Sequence, residues 1–415
     1  MALRLSSKPS PGVRSAATGG TFDSLKRYPV FRRLWLGMFA GSVSQWMQQI
    51  ALGWIALTMT NSTSFVGLVT FMGGLPFFVV GPVGGTLIDR LDRRRVMLVC
   101  QALAAVLAVV VAADVISGYV HPAHLVVAAF LNGSLQAMLG PTQQAIVPML
   151  VERKDLTNAV GLMSAGQNTT RIAGPPVAGV VIGLFGVGAA FLLQAVALGV
   201  AFVFVVGVVL PRRSDVSTVR GGVFDGMQLI ARRPDLRALF LQACLPSLLI
   251  FPYISFLNVY AKDILQIGPT GLGLLMAVSG AGAVTGALMT ASRGWGPGAG
   301  RILIVGTIVY GAMIMAVALV GDLRPMLPLM FLASMTASFF MSGNTALLQH
   351  RITDDIRGRV MGTYMLTWGL MPAGALPMGL LAAQVGTPWA IASLALLCSV
   401  LTAVLAATSP ALRNL

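Results

Sequence analysis

The chain has 415 residues, of which 56% are hydrophobic and only 10% are charged, whereas soluble domains carry roughly 25% charged residues. With a mean hydropathy of +0.83, most of its surface must face lipid, which excludes an ordinary soluble enzyme or binding domain. The net charge of +15 is distributed between apolar runs rather than on one basic face, so no nucleic-acid partner is expected. The cysteines lie too far apart in sequence to indicate a disulfide framework or a metal site: Cys100, Cys244 and Cys398.

Twelve apolar runs of about 20 residues, the length that crosses a bilayer, follow an N-terminal tail rich in Ser, Pro and Gly. A basic connector is too polar to span a membrane and separates the first six runs from the last six. The sequence therefore predicts an all-α membrane protein with twelve transmembrane helices in two six-helix pseudo-repeats. The expected parts are a disordered cytoplasmic tail (1–30), a first six-helix bundle (31–210), the connector (211–235), a second bundle (236–408) and a cytoplasmic tail (409–415).

Lysine and arginine residues fall in alternate loops. If both termini are cytoplasmic, the 28 Lys and Arg residues all lie on the cytoplasmic side, except Lys262 and Arg324, which fall outside, and Arg171, which falls within a span. The positive-inside rule therefore predicts a multi-pass protein of the bacterial inner membrane with both termini in the cytoplasm. The opposite orientation would invert this distribution.

The turn between the second and third runs reads Gly84-Gly85-Thr86-Leu87-Ile88-Asp89-Arg90-Leu91-Asp92-Arg93-Arg94-Arg95. Paired glycines let a neighbouring helix approach, and Asp89 can sit near a helix N-terminus, where the dipole stabilises an anion. An ion-pair cluster that forms in one state and breaks in another supplies the differential contacts of a gate. A plain topology signal is the alternative. The expected gating residues are Gly85, Asp89, Arg90, Arg93, Arg94 and, in the second half, Arg359.

This turn resembles the loop motif of the major facilitator superfamily, with Asp92 in place of the later glycine of the motif. Three further stretches, Phe31 to Gly37, Trp46 to Gln49 and Gly81 to Gly85, resemble the enterobactin-exporter-like branch, and Arg357 to Gly362 is similar too. The resemblance implies the major facilitator fold and alternating-access efflux by a secondary active transporter. It also implies small amphipathic substrates, such as drug-like compounds or siderophores, and coupling to proton antiport.

The fifth run resembles the antiporter motif of the same superfamily, in which small residues let helices pack closely. A proline within the run removes a backbone donor and favours a bend. Generic small-residue packing is the alternative interpretation. The residues of this motif are Gly161, Gly174, Pro175 and Gly179. The spacing of the first two glycines is similar to that of Gly362 and Gly374, which indicates an internal repeat.

Arg171 lies in the same run, and an arginine within a membrane is costly and usually faces a cavity or a partner. With Gln167 one turn earlier, it can bind an anionic group or position a coupling proton. The alternative is an arginine that snorkels toward the cytoplasm. Asp114, near the outer end of the third run, is the other carboxylate associated with a span and a candidate proton carrier. Gln45 stands where many relatives carry an acid, so the coupling group is left open.

Amide side chains recur on one face of the first and fourth runs, which predicts a weakly polar central cavity, with interhelical hydrogen bonding as the alternative. Such a cavity suits amphipathic cargo better than sugars. A tryptophan near the middle of the eleventh run is an additional candidate. The expected cavity or coupling residues are Gln45, Gln49, Asp114, Asn132, Gln136, Gln167, Arg171, Asn344 and Trp368.

No nucleophile–base pair, metal-ligand cluster or phosphate-binding loop is found in the sequence, so neither an enzyme activity nor a cofactor is expected. The expected partners are a small-molecule substrate, protons and the lipid bilayer, and the protein is expected to be a monomer. Two other functions stay open. One is an importer or lipid transporter of the same fold, and the other is a non-transporting membrane sensor, which the short loops disfavour.

Overall fold

The computed structural model describes residues 22–88, 92–208, 223–292 and 298–413, which are almost wholly helical. Within these ranges, nine helices are long and apolar enough to cross a membrane. Three further helices, Pro29–Thr60, Thr63–Ile88 and Leu156–Phe185, have comparable lengths, which brings the described crossings to twelve. The predicted all-α fold of twelve transmembrane helices is confirmed.

The helices of the first half begin and end where the sequence supplies terminators. Pro29 opens the first helix, where its missing N–H would have no partner anyway. Asp92 caps the third helix by accepting from the backbone N–H groups of Arg94 and Arg95 at 2.8 and 3.2 Å. Gly118 ends that helix in the left-handed conformation. The six helices are α1 (Pro29–Thr60), α2 (Thr63–Ile88), α3 (Arg93–Ser117), α4 (Pro122–Leu150), α5 (Leu156–Phe185) and α6 (Val187–Val206).

The second half follows the same plan, but its first helix is interrupted. Its regular α-helical part ends at Leu249, and the chain continues as a 3-10 segment, Phe251–Phe256, and a π-helical turn, Tyr260–Ile264. Pro252 contributes to this break because it has no backbone N–H to donate. The six membrane segments are α7 (Pro234–Ile264), α8 (Gly268–Ser292), α9 (Ala299–Leu319), α10 (Leu323–Arg351), α11 (Ile356–Val385) and α12 (Thr387–Thr408).

Twelve crossings bring Pro29 and Thr408 to one end of the bundle, here called the terminal end, whereas the turns at Asn61 and Gly186 lie at the opposite, distal end. Within the first half, α1 packs on α6 and α2 on α4; within the second, α8 packs on α10 and α9 on α12. The most extensive pairings between the halves join α2 to α11 and α5 to α8. We call these pairings the α2/α11 seam and the α5/α8 seam.

In the α5/α8 seam, glycines let two helix backbones touch. A Cβ added to Gly273 of α8 would lie 2.7 Å from the carbonyl oxygen of Pro175 in α5. Seven positions later, a Cβ on Gly280 would lie 2.9 Å from the carbonyl oxygen of Arg171. Because both neighbours are backbone atoms, neither contact can be relieved by rotating a side chain.

The α2/α11 seam has the same construction. A Cβ on Gly67 of α2 would lie 2.5 Å from the carbonyl oxygen of Ala375 in α11, and Gly74, again seven positions later, lies directly against Pro372. The two seams therefore place equivalent helices of the two halves in equivalent contact.

The internal repeat is also visible within each half. Gly174 of α5 faces Trp46 of α1, with 2.7 Å between an added Cβ and the indole ring, and Gly374 of α11 faces the backbone of Leu248 in α7. The predicted organisation as two six-helix pseudo-repeats is confirmed by these matching contacts.

Part of the predicted connector forms a helix, Val223–Arg232, whereas residues 211–222 lie outside the described ranges. Gly226 in this helix contacts the backbone of Arg359 in α11, so the helix packs on the second half. The exact domain boundaries, including the tails 1–30 and 409–415, stay predictions.

Candidate substrate pathway between the two halves

Polar contacts join the two halves at the distal end. The hydroxyls of Thr63 and Ser64 donate to the carbonyl oxygen of Gly379 at 3.2 and 3.4 Å. Near them, the Lys262 ammonium donates to the side-chain oxygen of Asn61. Together with the two glycine seams, these hydrogen bonds close the space between the halves at this end.

At the terminal end, the arginine cluster after α2 makes contacts within the first half. Arg93 donates to the carbonyl oxygen of Ala145 at 3.2 Å, and Arg94 donates to that of Val206 at 2.5 Å. These carbonyls lie toward the C-terminal ends of α4 and α6, where the helix dipole favours a cation. Both arginines therefore brace the first bundle in this state, and their gating role stays a prediction.

The structure describes only some of the other predicted gating residues. Gly85 belongs to α2, whereas Asp89 and Arg90 lie outside the described residues. Arg359 is in the first turns of α11, and its carbonyl oxygen accepts from the Thr363 hydroxyl at 3.1 Å.

A polar network at the terminal end ties the start of α1 to the loop before α5. The Tyr28 hydroxyl donates to Asp155 at 2.7 Å, and Arg27 donates to the same carboxylate at 3.3 Å. Partial burial and the hydrogen bond to Asp155 raise the pKa of Tyr28. Lys154 lies 2.7 Å from Glu152 and lowers the pKa of that carboxyl by hydrogen bonding and by its charge. This network connects elements of the first half only.

A cavity of about 270 Å³ lies between the halves, just inside the distal contacts, among α1, α2, α7, α8 and α11. This volume is near the lower end of the range for small-molecule pockets, about 300–1,000 Å³. Its polar lining residues are Gln48, Gln49, Thr70, Ser255 and Asn258. Its apolar lining residues are Leu52, Val69, Phe77, Ile254, Met276, Met371 and Pro372. The wall therefore combines neutral hydrogen-bonding groups with flexible and aromatic apolar side chains.

Asn258, on the irregular part of α7, lines this cavity and has an unused hydrogen-bond acceptor. The residue is 3% exposed, and its amide nitrogen donates to the carbonyl oxygen of Ser255 at 3.0 Å. Its side-chain oxygen has no partner among the described residues, which costs about 1–3 kcal/mol when a group is buried. Gly53 of α1 lies directly against this amide. A bound molecule that donates a hydrogen bond would satisfy Asn258.

Of the cavity residues predicted in the first half, some line the cavity and others do not. Gln49 is on the cavity wall, whereas Gln45, one turn earlier on α1, is exposed and outside the lining. On α4, Asn132 is 4% exposed and Gln136 is half-buried, and neither belongs to the lining. Only the distal part of the predicted amide surface therefore faces the cavity.

In the second half, Asn344 needs a correction. It is 1% exposed, and its amide donates to the carbonyl oxygen of Leu239 at 3.0 Å and to the Tyr364 hydroxyl at 3.2 Å. It thus connects α7, α10 and α11 inside the second bundle, because three helices meet there, and it is not on the cavity wall. Trp368 belongs to α11, but its side chain is outside the described residues.

Arg171 lies near the middle of α5, in the α5/α8 seam and half-buried. The ring hydroxyls of Tyr253 in α7 and Tyr310 in α9 are close enough to interact electrostatically with its guanidinium. Gln167, one turn earlier, is exposed and lines a separate narrow cleft beside Trp35 in α1. The titratable neighbours of Arg171 thus belong to the second half, whereas Gln167 lines a cleft within the first half.

Asp114 forms a pair that the sequence did not indicate. Its carboxylate lies 2.8 Å from the Nδ1 atom of His124, which joins the distal ends of α3 and α4. The pair is within the first half and away from both seams.

The glycines of the fifth-helix motif have different neighbours. Gly174 packs on Trp46 of α1, and Gly179 packs on Pro269 of α8 across the seam. Gly161 faces open space, with no atom within 4 Å of an added Cβ. Close packing thus explains two of the three glycines, and the antiport role of the motif stays a prediction.

No group of three or more metal-ligating side chains is found in the part of the chain that the structure describes. The polar groups around the cavity are amides and hydroxyls, which are suited to a neutral organic surface rather than to a tightly bound ion.

Comparison with known proteins decides the family. The family model for transmembrane secretion effectors matches residues 20–414. The chain belongs to this family.

Among similar proteins, the staphyloferrin A transporter of Staphylococcus aureus (strain NCTC 8325 / PS 47) is 23% identical over 82% of this chain and 86% of that protein. The multidrug efflux pump Tap of Mycolicibacterium fortuitum is 26% identical over 94% of this chain and 98% of the pump. A solved structure of a bacterial homologue of the human lysosomal transporter Spinster, inward-facing and occupied, superposes with a TM-score of 0.75. It is 14% identical and covers 94% of this chain and 97% of that chain.

These similarities confirm the major facilitator fold and a membrane transporter rather than an enzyme. Sequence reasoning missed the residues that define the seams and the distal closure, Gly67, Gly74, Gly273, Gly280, Thr63, Lys262 and Asn61. The repeated seven-residue glycine spacing in the second and eighth runs was a signal that could have revealed the seams. The tyrosines near Arg171 had no such signal, because they are far from it in sequence. Asp114 and His124 are only ten positions apart, but they belong to different helices, and no periodic pattern links them.

Proposed function

We propose that this protein exports small amphipathic molecules, drug-like compounds or siderophores, by alternating access across the bacterial inner membrane. The observation that carries the proposal is the cavity between the halves, which is closed at the distal end by both seams and by the Thr63–Gly379 and Lys262–Asn61 contacts. Its wall of amides, methionines and a phenylalanine can accommodate apolar groups of varied shape and satisfy a few polar ones.

The orientation of the pathway follows from the charges. Most of the arginines and lysines lie at the terminal end, so the positive-inside rule places both termini in the cytoplasm. The distal end then faces outward, and the conformation is one in which the outer side is closed. Because the cavity is enclosed by helices of one chain, we infer that the monomer is the transport unit.

We also propose proton antiport, with the Asp114–His124 pair as the candidate proton carrier. Asp114 lies inside a membrane helix, and its carboxylate is 2.8 Å from the Nδ1 atom of His124. An Asp114→Asn variant in proteoliposomes should lose substrate accumulation driven by a pH gradient but keep substrate exchange without a gradient. Unchanged gradient-driven transport would remove Asp114 from the mechanism.

The function itself is tested in cells that overproduce the protein. Wild-type cells should accumulate less of a fluorescent amphipathic dye than cells that carry the empty vector, and a protonophore should abolish the difference. The matched variants are Gly280→Val, which should accumulate dye like the empty vector, and Gly161→Val, which should behave like the wild type. Equal dye levels across a broad substrate panel would reject efflux, and higher levels in the producing cells would indicate import.

A further inference from the structure

An uncompensated positive charge lies in the middle of the membrane region. Arg171 is near the centre of α5 and half-buried, and an arginine at such a depth is costly unless something balances it. Among the described residues, no ion pair joins Arg171 to a carboxylate. Apart from Asp114, near the distal end of α3, the sequence places no acidic residue in the interior of an apolar run. A conformational change therefore cannot bring a carboxylate from the middle of the membrane to Arg171.

The titratable neighbours of Arg171 are two tyrosines of the second half. Tyr253 and Tyr310 interact electrostatically with the guanidinium. The Tyr310 side chain is 1% exposed, and its hydroxyl has no hydrogen-bond partner among the described residues. The Tyr253 hydroxyl is within reach of the hydroxyls of Ser279 and Ser334, which are hydrogen-bonded to each other at 2.7 Å.

This set of groups is chemically suited to an anion. A guanidinium presents several N–H donors in one plane that match the geometry of a carboxylate or phosphate, and a phenol can donate its O–H to the same oxygens. An anionic group would neutralise Arg171 and satisfy the Tyr310 hydroxyl together, which neutral water or an apolar group cannot do.

Residues that are close in sequence to members of this cluster line the cavity already described. Tyr253 directly precedes Ile254 and Ser255, which line the cavity, and Ser279 lies one helical turn from Met276, another lining residue. In the arrangement we infer, a substrate with one anionic group and an apolar body places the group at Arg171 and the body in the cavity.

We propose that Arg171, with the Tyr310 and Tyr253 hydroxyls, binds the anionic group of the transported molecule, so that the substrates are anionic amphiphiles bearing a carboxylate or a phosphate. This inference rests on the proposed export function, which supplies the cavity and the pathway. The cluster spans the α5/α8 seam, so the bound anion contacts both halves. Release of the anion then accompanies separation of Arg171 from the tyrosines.

Equilibrium binding to the purified full chain tests this inference without any transport. The probes are a dansyl-labelled long-chain fatty acid and its methyl ester, which differ only in the anionic group, titrated into protein in lipid nanodiscs at neutral pH. We expect the wild type to bind the acid about tenfold or more tightly than the ester, as expected for a charge-assisted hydrogen-bonded pair. Arg171→Gln should remove this difference while ester binding is retained, and Arg171→Lys should keep part of it.

Two further variants separate recognition from structural damage. Tyr310→Phe, which removes only the unpartnered hydroxyl, should reduce acid binding by about threefold and leave ester binding unchanged. Arg324→Gln removes a positive charge at the distal end, outside this cluster, and should change neither. If Arg171→Gln loses ester binding as well, the Tyr310→Phe and Arg171→Lys variants decide whether the cluster recognises the anionic group.

Equal affinity of the wild type for acid and ester, an acid preference that survives Arg171→Gln, or no binding of the acid would overturn the anion site. These outcomes are distinct from failure of the export function, which is measured by dye accumulation in cells. Acid-selective binding that depends on Arg171 but occurs without export would support the site and reject the transport proposal.

Discussion

The two seams between the halves have the same packing and different chemistry. In each, a helix with two glycines seven residues apart, Gly67 and Gly74 on α2 or Gly273 and Gly280 on α8, packs closely on a partner helix. Three of these glycines lie against partner backbone, whereas Gly74 lies against the ring of Pro372. In the α2/α11 seam, the residue before Pro372 is Met371, which lines the cavity. In the α5/α8 seam, the corresponding position, before Ile172, is Arg171.

This difference separates two tasks that a transporter must combine. Backbone contact through glycines suits surfaces that must slide and separate as rigid bodies, because no side chain has to change rotamer. The duplicated contacts therefore serve the movement of the halves, whereas the side chains added beside them determine what is bound. One seam contributes an apolar wall, and the other contributes a charge.

The largest effect should come from locking either seam closed. A Gly183→Cys, Thr270→Cys pair joins α5 to α8, since an added Cβ on Gly183 would lie 2.7 Å from the Thr270 hydroxyl. A Thr63→Cys, Gly379→Cys pair joins α2 to α11, where the distance from an added Cβ to the Thr63 carbonyl oxygen is also 2.7 Å. In a background whose native cysteines are replaced by serine, oxidation of either pair should reduce transport to background, because both seams must open.

Transport by each double-cysteine variant, before oxidation, after oxidation and after reduction, measures this effect. The single-cysteine variants serve as controls and should be insensitive to oxidant. Full transport with one seam cross-linked would show that this seam stays closed through the transport cycle. The two seams would then not be mechanically equivalent.

Enlarging a seam glycine should have the next largest effect, with the opposite conformational result. Gly74→Val forces a side chain against the ring of Pro372, and Gly280→Val forces one against the backbone of Arg171, with a cost of about 1–3 kcal/mol for overpacking. This energy changes a two-state equilibrium by roughly 5- to 150-fold. Both variants should favour opening of the distal end, and therefore increase labelling of a Thr63→Cys reporter by an impermeant maleimide.

The matched control for these variants is Gly161→Val, because Gly161 has open space around it. Its labelling and transport should equal those of the wild type. Similar effects of Gly74→Val and Gly280→Val would support mechanical equivalence of the seams, and tolerance of only one substitution would contradict it.

A smaller effect is expected at the cavity wall. Gly53→Ala places a methyl group against the Asn258 amide, so that the amide must move and the cavity wall changes at this residue. We expect the affinity for an exported dye to fall about tenfold, the equivalent of one buried hydrogen bond, with the amount of folded protein unchanged. Gly41→Ala on the same helix is the control, since no atom lies within 4 Å there. Equal dye affinity in both variants would place the substrate elsewhere.

The smallest effect is expected for Lys262→Gln at the distal surface. Its contact with Asn61 joins the halves, but exposed polar contacts of this kind contribute about 0–1 kcal/mol. Transport and maleimide labelling of the Thr63→Cys reporter should change by less than about fivefold. A complete loss of function would mean that this contact, rather than the seams, controls distal closure.

How well single residues were predicted depends on the range of the interactions involved. Arg171 was recognised from sequence because a charged side chain within an apolar run is costly to place in lipid. Asn344 also stood out as a polar residue in a span, but the sequence could not show that its amide nitrogen already donates to Leu239 and Tyr364 inside the second bundle. The same limit applies to Gln45 and Gln49, which share a helix face but differ in exposure to the cavity.

The sequence by itself determined the solvent, the number of crossings, the internal repeat and the distribution of charge. These properties depend on composition and local order along the chain, since every apolar run must satisfy its own backbone in lipid. The tertiary structure alone decided which helices form the seams, which amides face the cavity and which groups surround Arg171. Those relations depend on contacts between residues that are far apart in the chain, and the amphipathic pattern of one helix does not specify its neighbour.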